Sequence, residues 1–112
     1  NSGEIFGTPY YMSPEQGHGQ PTDGRSDLYG LGIMMYEMLT AGKPFEGDTA
    51  MSIIYKHAKA PIPKLPAELA TLQPLLDRLI AKRPDDRYPN AQLALRALED
   101  ARDSVEKSGL AA

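Results

Sequence analysis

The sequence holds 112 residues, with 12 Lys and Arg against 15 Asp and Glu for a formal net charge of −3. That length fits one domain with one modest core, and the lack of any Cys excludes a disulfide scaffold or a thiolate-held zinc or iron–sulfur centre. A weakly acidic chain lacks the basic stripe that phosphate backbones require, so neither nucleic acid nor a membrane surface is an expected partner. No apolar run approaches the roughly 20 residues of a bilayer-spanning helix. The chain opens at Asn1 with neither Met nor a signal-like segment, which marks it as an expected fragment, and the missing Cys suits a cytoplasmic location.

In chain order, Gly3, Gly7, Pro9, Pro14, Gly17, Gly19, Pro21 and Gly24 punctuate residues 1–24 too densely for a strand or a long helix, so this stretch reads as loop. From Ser26, a good N-cap with Asp27 behind it, the residues Leu28, Leu31, Ile33, Met34, Met35, Met38 and Leu39 run to a stop at Gly42 and Pro44. They cover most of a helix circumference, which predicts central burial, with Gly30 and Gly32 permitting close backbone approach. Asp48 is the expected cap of a second helix, in which Met51, Ile54, Tyr55 and Ala58 recur at i, i+3, i+4 and i+7 before Pro61 and Pro63 end it.

Leu72, Leu75, Leu76, Leu79 and Ile80 repeat that period in a third helix, with Thr71 as cap, Pro74 in the first turn and Arg83-Pro84 as its close. Asn90 caps a fourth helix carrying Leu93, Ala94, Ala97, Leu98, Ala101 and Val105, which frays toward Gly109. No alternating stretch competes, so the fold class is all-α. A helical unit over 25–109 follows the loop of 1–24 and precedes a disordered tail at 110–112.

Generic site signals point elsewhere than to chemistry. Gly30-Leu31-Gly32 lacks a third glycine and lies inside a helix, so packing explains it better than a dinucleotide. Gly42-Lys43-Pro44 lacks the Ser or Thr of a phosphate loop, and its Pro removes an N–H such a loop needs. His18 and His57 have no ligand-spaced companion, so solvated or capping roles are expected and no metal site. Asp85-Asp86 beside Arg83 and Arg87 reads as a solvated charge cluster.

What remains is Gly7-Thr8-Pro9-Tyr10-Tyr11-Met12-Ser13-Pro14-Glu15-Gln16, then Asp27-Leu28-Tyr29-Gly30-Leu31-Gly32 through Met38-Leu39, then Gly42-Lys43-Pro44-Phe45 and Pro84-Asp85-Asp86-Arg87. In this order and spacing they resemble the C-terminal part of the large lobe of a Hanks-type, bacterial-style Ser/Thr protein kinase. The first stretch is similar to the end of the activation segment, the P+1 loop and the Ala-Pro-Glu motif, with Ser13 in place of Ala. The helices that follow resemble the family's F, G, H and I.

The resemblance implies several roles. Thr8 would support the catalytic Asp at the floor of the phosphoacceptor site. Ile5, Pro9 and Met12 would line the pocket for the residue after the phosphoacceptor and favour an apolar one. Glu37 matches a position that meets an upstream substrate Arg in some basophilic kinases, packing within the helix being the alternative. Glu15 and Arg87 would form a buried ion pair, Asp27 would hold the catalytic loop or, without it, bond its own helix terminus or water, and Ser2 is a candidate autophosphorylation site.

The Gly-rich loop, strand Lys, His-Arg-Asp and Asp-Phe-Gly motifs are absent, so ATP and Mg²⁺ belong to the parent protein and no cofactor to this piece. Expected partners are a Ser/Thr segment of a protein substrate, the N-terminal part of the kinase and, through the apolar central helix, a second copy of the chain as a homodimer. A non-catalytic interaction module derived from a pseudokinase is the alternative. An intact catalytic Asp and metal-binding Asp upstream would decide between them.

Overall fold

Prolines and capping side chains divide the chain into helices of unequal length. The structure is a computed structural model that describes residues 9–107. A 3₁₀ turn at Pro9–Tyr11 leads into the short helix α1 (Pro14–Gly17), then α2 (Gly24–Thr40) and α3 (Ala50–Lys59). A 3₁₀ segment at Ala67–Leu72 enters α4 (Gln73–Leu79), a 3₁₀ turn spans Pro84–Asp86, and α5 (Ala91–Lys107) closes the described chain. Among the described residues there is no strand, as the all-α reading requires.

The helices form where expected, but several caps differ. Asp23, not Ser26, starts α2, its Oδ1 accepting from the Arg25 backbone N–H at 2.8 Å. Ser26 lies inside the helix, where a partner in α1 claims its hydroxyl. Thr49, not Asp48, caps α3 in a reciprocal box with Ser52. Thr71 caps nothing, because the chain already winds as a 3₁₀ segment through Leu72, and Pro74 does fall in the first turn of α4. Asn90 caps α5 as expected, with Oδ1 accepting from the Leu93 N–H at 2.9 Å.

Leu28, Tyr29 and Ile33 of α2 meet Phe45, Leu65, Leu75, Leu76, Leu79, Ile80, Tyr88 and Ala94 in one core. Each buried Leu, Ile or Phe among them contributes about 1.5–3 kcal/mol. Gly32 lets α2 and α4 touch, since a Cβ there would sit 2.5 Å from Ile80 Cγ2 and 2.8 Å from Leu79 Cβ. Gly30 serves the other neighbour, its would-be Cβ lying 3.3 Å from the Tyr11 carbonyl oxygen.

Two packing expectations are corrected. The central helix is buried on one face only, with Leu31, Met34 and Met38 exposed by 50%, 48% and 75%. In α3 the buried face is Ile53, Ile54 and His57, while Met51 and Tyr55 point to solvent. No helix is long and apolar enough to cross a membrane among the described residues.

Candidate functional site

The turn at Pro9–Met12 and helix α1 are too short to hold their own shape, so their placement depends on side-chain bonds. Ser13 supplies the first. Its Oγ accepts from the Gln16 N–H at 3.2 Å while Gln16 Oε1 accepts from the Ser13 N–H at 2.8 Å, and Pro14 fills a position whose N–H needs no partner. A small side chain with an acceptor therefore suits position 13, which is fully buried.

The second bond joins Glu15 to Arg87 across 72 residues of sequence. Arg87 Nη1 donates to Glu15 Oε2 at 2.6 Å and Nη2 to Oε1 at 2.9 Å, a bidentate pair with side chains 0% and 5% exposed. The other three N–H groups of the guanidinium go to the carbonyls of Ala81, Arg25 and Lys82, so all five donors are used. The Tyr29 ring lies 4.9 Å below the guanidinium carbon. Burial alone would push the Glu15 carboxyl up. The bonds from Arg87, the Ser26 hydroxyl at 2.6 Å and its own backbone N–H outweigh that and hold it at about 2.

Behind this latch sits His57, expected at the surface but 1% exposed. Its Nδ1 shares a 2.7 Å bond with the Tyr29 hydroxyl, and it meets the Phe45 ring edge-on. Nε2 is buried with no partner of good hydrogen-bond geometry, although backbone groups of Pro9 and Tyr10 favour a proton on the ring. Burial dominates and lowers the imidazole to about 4, so the ring is neutral. Lys82 closes the carboxyl end of α3, donating to the His57 carbonyl at 2.9 Å over the Phe45 face, and burial lowers its ammonium to about 8.

On the outer side of the same turn, Tyr11 donates from its hydroxyl to Glu37 Oε1 at 2.5 Å, and Lys43 Nζ donates to Glu37 Oε2 at 2.5 Å. The Lys43 ammonium also lies 5.0 Å from the Tyr10 ring centre and 5.8 Å from that of Tyr11. Lys43 and then Tyr11 draw the Glu37 carboxyl below its ordinary value, and Glu37 raises both partners in turn.

The sequence-derived positions thus divide. Pro9 and Met12 are half-buried on the turn, and Glu37 stands beside them through Tyr11. Asp27 is exposed at the mouth of an open depression of about 620 Å³ that Arg25, Leu31 and Asn90 also line. No described group bonds its carboxylate, and the Arg25 N–H at the helix start goes to Asp23. Ser2, Ile5, Thr8 and the 110–112 tail lie outside the described residues. Ser26 and Lys43 were missed by sequence reasoning, because each acts on a carboxylate that only the fold brings near.

A capped Ser-Pro-Glu turn latched to an arginine near the last helix, and pinned on a central helix, defines the helical subdomain of a protein kinase. Residues 2–97 match the protein kinase domain family, and the chain belongs to that family. It is 41% identical over 95 residues to the serine/threonine-protein kinase PknL of Mycobacterium tuberculosis, covering 81% of this chain and 24% of that protein. Pkn1 of Myxococcus xanthus is 39% identical over 105 residues, covering 90% of this chain and 15% of its own length. PknB of Mycolicibacterium smegmatis is 41% identical over 92 residues, 78% of this chain and 15% of that protein. The chain therefore spans at most about a quarter of these relatives.

Proposed function

We propose that this chain is the substrate-docking and scaffold portion of a longer, cytoplasmically acting Ser/Thr protein kinase. The single observation that carries the reading is the buried Glu15–Arg87 latch, which ties α1, the element directly after the Pro9–Met12 turn, to Ser26 and the Arg25 carbonyl at the start of α2. Pro9 and Met12, with Ile5, form the apolar pocket for the residue after the phosphoacceptor, Thr8 supports the catalytic Asp, and Glu37 is the acidic anchor beside them. Asp27, bonded by no described residue at the rim of its depression, is the group that holds the catalytic loop.

Mg²⁺ and ATP are assigned to the rest of the parent, because the family's Gly-rich loop, strand Lys, His-Arg-Asp and Asp-Phe-Gly motifs that handle them are not in this sequence. There ATP supplies the γ-phosphoryl group that the parent transfers to a Ser or Thr of a protein substrate. The exposed Leu31, Met34 and Met38 are covered by that same upstream portion, and in the isolated chain by a second copy.

The test is the full-length parent with Asp27→Ala. A steep loss of kcat with unchanged ATP KM supports the reading, and full turnover in the variant counts against it. A parent that binds protein partners but transfers no phosphate would identify the pseudokinase-type module instead. Phosphate on Ser2 of the active parent is read by mass spectrometry.

A further inference from the structure

The Glu37 cluster is a cation receptor with its cation already in place. Tyr10 and Tyr11 turn ring faces toward the Lys43 ammonium, and Glu37 and the Tyr11 hydroxyl complete the wall. Aromatic faces and a carboxylate are the groups that recognise an alkylammonium or guanidinium head. We infer that Lys43 is a built-in occupant of this cage, which a Lys or Arg side chain of the polypeptide docked at the Pro9–Met12 turn must displace, so that Lys43 sets how strongly the site selects basic substrates.

Three observations support exchange. The cage carries one carboxylate, so two cations in it repel and only one is held. Lys43 is a point charge on a flexible stem, and a guanidinium offers a planar fork that a carboxylate and a tyrosine hydroxyl accept better. It also stands on the turn after α2, just past Ala41 and Gly42, with 27% of its side chain exposed, so it can leave the cage without disturbing the core. The inference deepens the proposed docking role and rests on it for the source of the displacing cation.

Two measurements on the full-length protein separate the two claims. In the first, ¹³C-tyrosine spectra follow titration with N-butylguanidinium, in wild type and in Lys43→Met. Saturable shifts of Tyr10 and Tyr11, at a concentration about tenfold lower in the variant, are expected. No difference between the two proteins overturns the inference, and Lys43→Gln repeats the test should Lys43→Met melt early. In the second, kcat/KM is compared for peptides bearing Arg or norleucine upstream of the acceptor. Lys43→Met should raise the preference for Arg about tenfold, and adding Glu37→Gln should abolish it. Unchanged preference in a protein that phosphorylates both peptides also overturns the inference. Tyrosine shifts in a protein that phosphorylates neither peptide uphold the cage and sink the docking role instead.

Discussion

Glu15 and Glu37 have nearly the same companions and opposite uses. Each carboxylate takes one basic side chain and one hydroxyl, Arg87 and Ser26 for the first, Lys43 and Tyr11 for the second. The first pair spans 72 residues and is almost sealed, while the second spans six and leaves 27% and 31% of its side chains in water. What separates a latch from an exchangeable contact is therefore desolvation and donor count, not the charges. A buried carboxylate has no other partner to turn to, whereas a half-exposed one has water and any passing cation.

The largest effect should follow from breaking the buried side of this comparison. Arg87→Met strands the Glu15 carboxylate and should cost about 3–5 kcal/mol in urea denaturation, as should Glu15→Leu, which strands the guanidinium. The double variant Glu15→Leu with Arg87→Met should recover much of the loss, because a packed apolar pair replaces two desolvated ions. Equal losses in the double and single variants would mean that the carbonyl bonds of Arg87, not the ion pair, hold the latch.

Acid should undo the same region in two stages. His57 lies at about 4 in the folded chain against an ordinary value near 6.5, so the unfolded state binds the extra proton. Its contribution is complete above about pH 6.5 and is lost as pH falls to about 4, a change of about 3 kcal/mol. Glu15, at about 2 against 4.5, keeps its contribution above pH 4.5 and loses it as pH falls through about 2. His57→Gln should flatten the melting temperature between pH 6.5 and 4 while leaving the lower limb intact. A slope unchanged by that substitution would assign the upper limb to another group.

His57 also marks where the sequence stopped being legible. Helix positions could be read because Leu75, Leu76, Leu79 and Ile80 admit only one apolar face, and the core uses it. In α3 two stripes share Ile54, Met51-Ile54-Tyr55 and Ile53-Ile54-His57, and the polar ring of His57 disguises the second, which is the buried one. A histidine becomes a core residue only when a tyrosine from another helix is there to bond it, which no local window contains. The caps failed for a related reason. Ser, Thr and Asp are near-equal N-caps, so a shift of a few residues is invisible until a distant group such as Glu15 claims Ser26. The latch itself was readable from the family's motifs, not from periodicity.

Gly32 tests the scaffold between the two carboxylates. Adding a methyl group at the contact of α2 with Leu79 and Ile80 forces repacking, and Gly32→Ala should cost about 1–3 kcal/mol despite the better helix propensity of Ala. Gly24→Ala, with open space around its would-be Cβ, is the control and should be neutral or mildly stabilising. Equal behaviour of the two would show that the helices can separate at this point without penalty.

The smallest effect on stability should come from the outer pair, and that is what gives it room for function. Removing Lys43 leaves Glu37 bonded to Tyr11 and open to water, so no charge is stranded, and Lys43→Met should leave the denaturation midpoint within experimental error. The variant should also lose whatever salt dependence the pair supplies, since exposed charges are screened within about 8–10 Å at ordinary ionic strength. A midpoint that falls as far as in Arg87→Met would mean that Lys43 is a second latch, tied to the core through Tyr10 and Tyr11. It could not then leave the cage for an incoming cation. The same two-point comparison, Lys43→Met against Arg87→Met in one urea series, thus decides whether the acidic positions on either side of the turn differ in kind or only in degree.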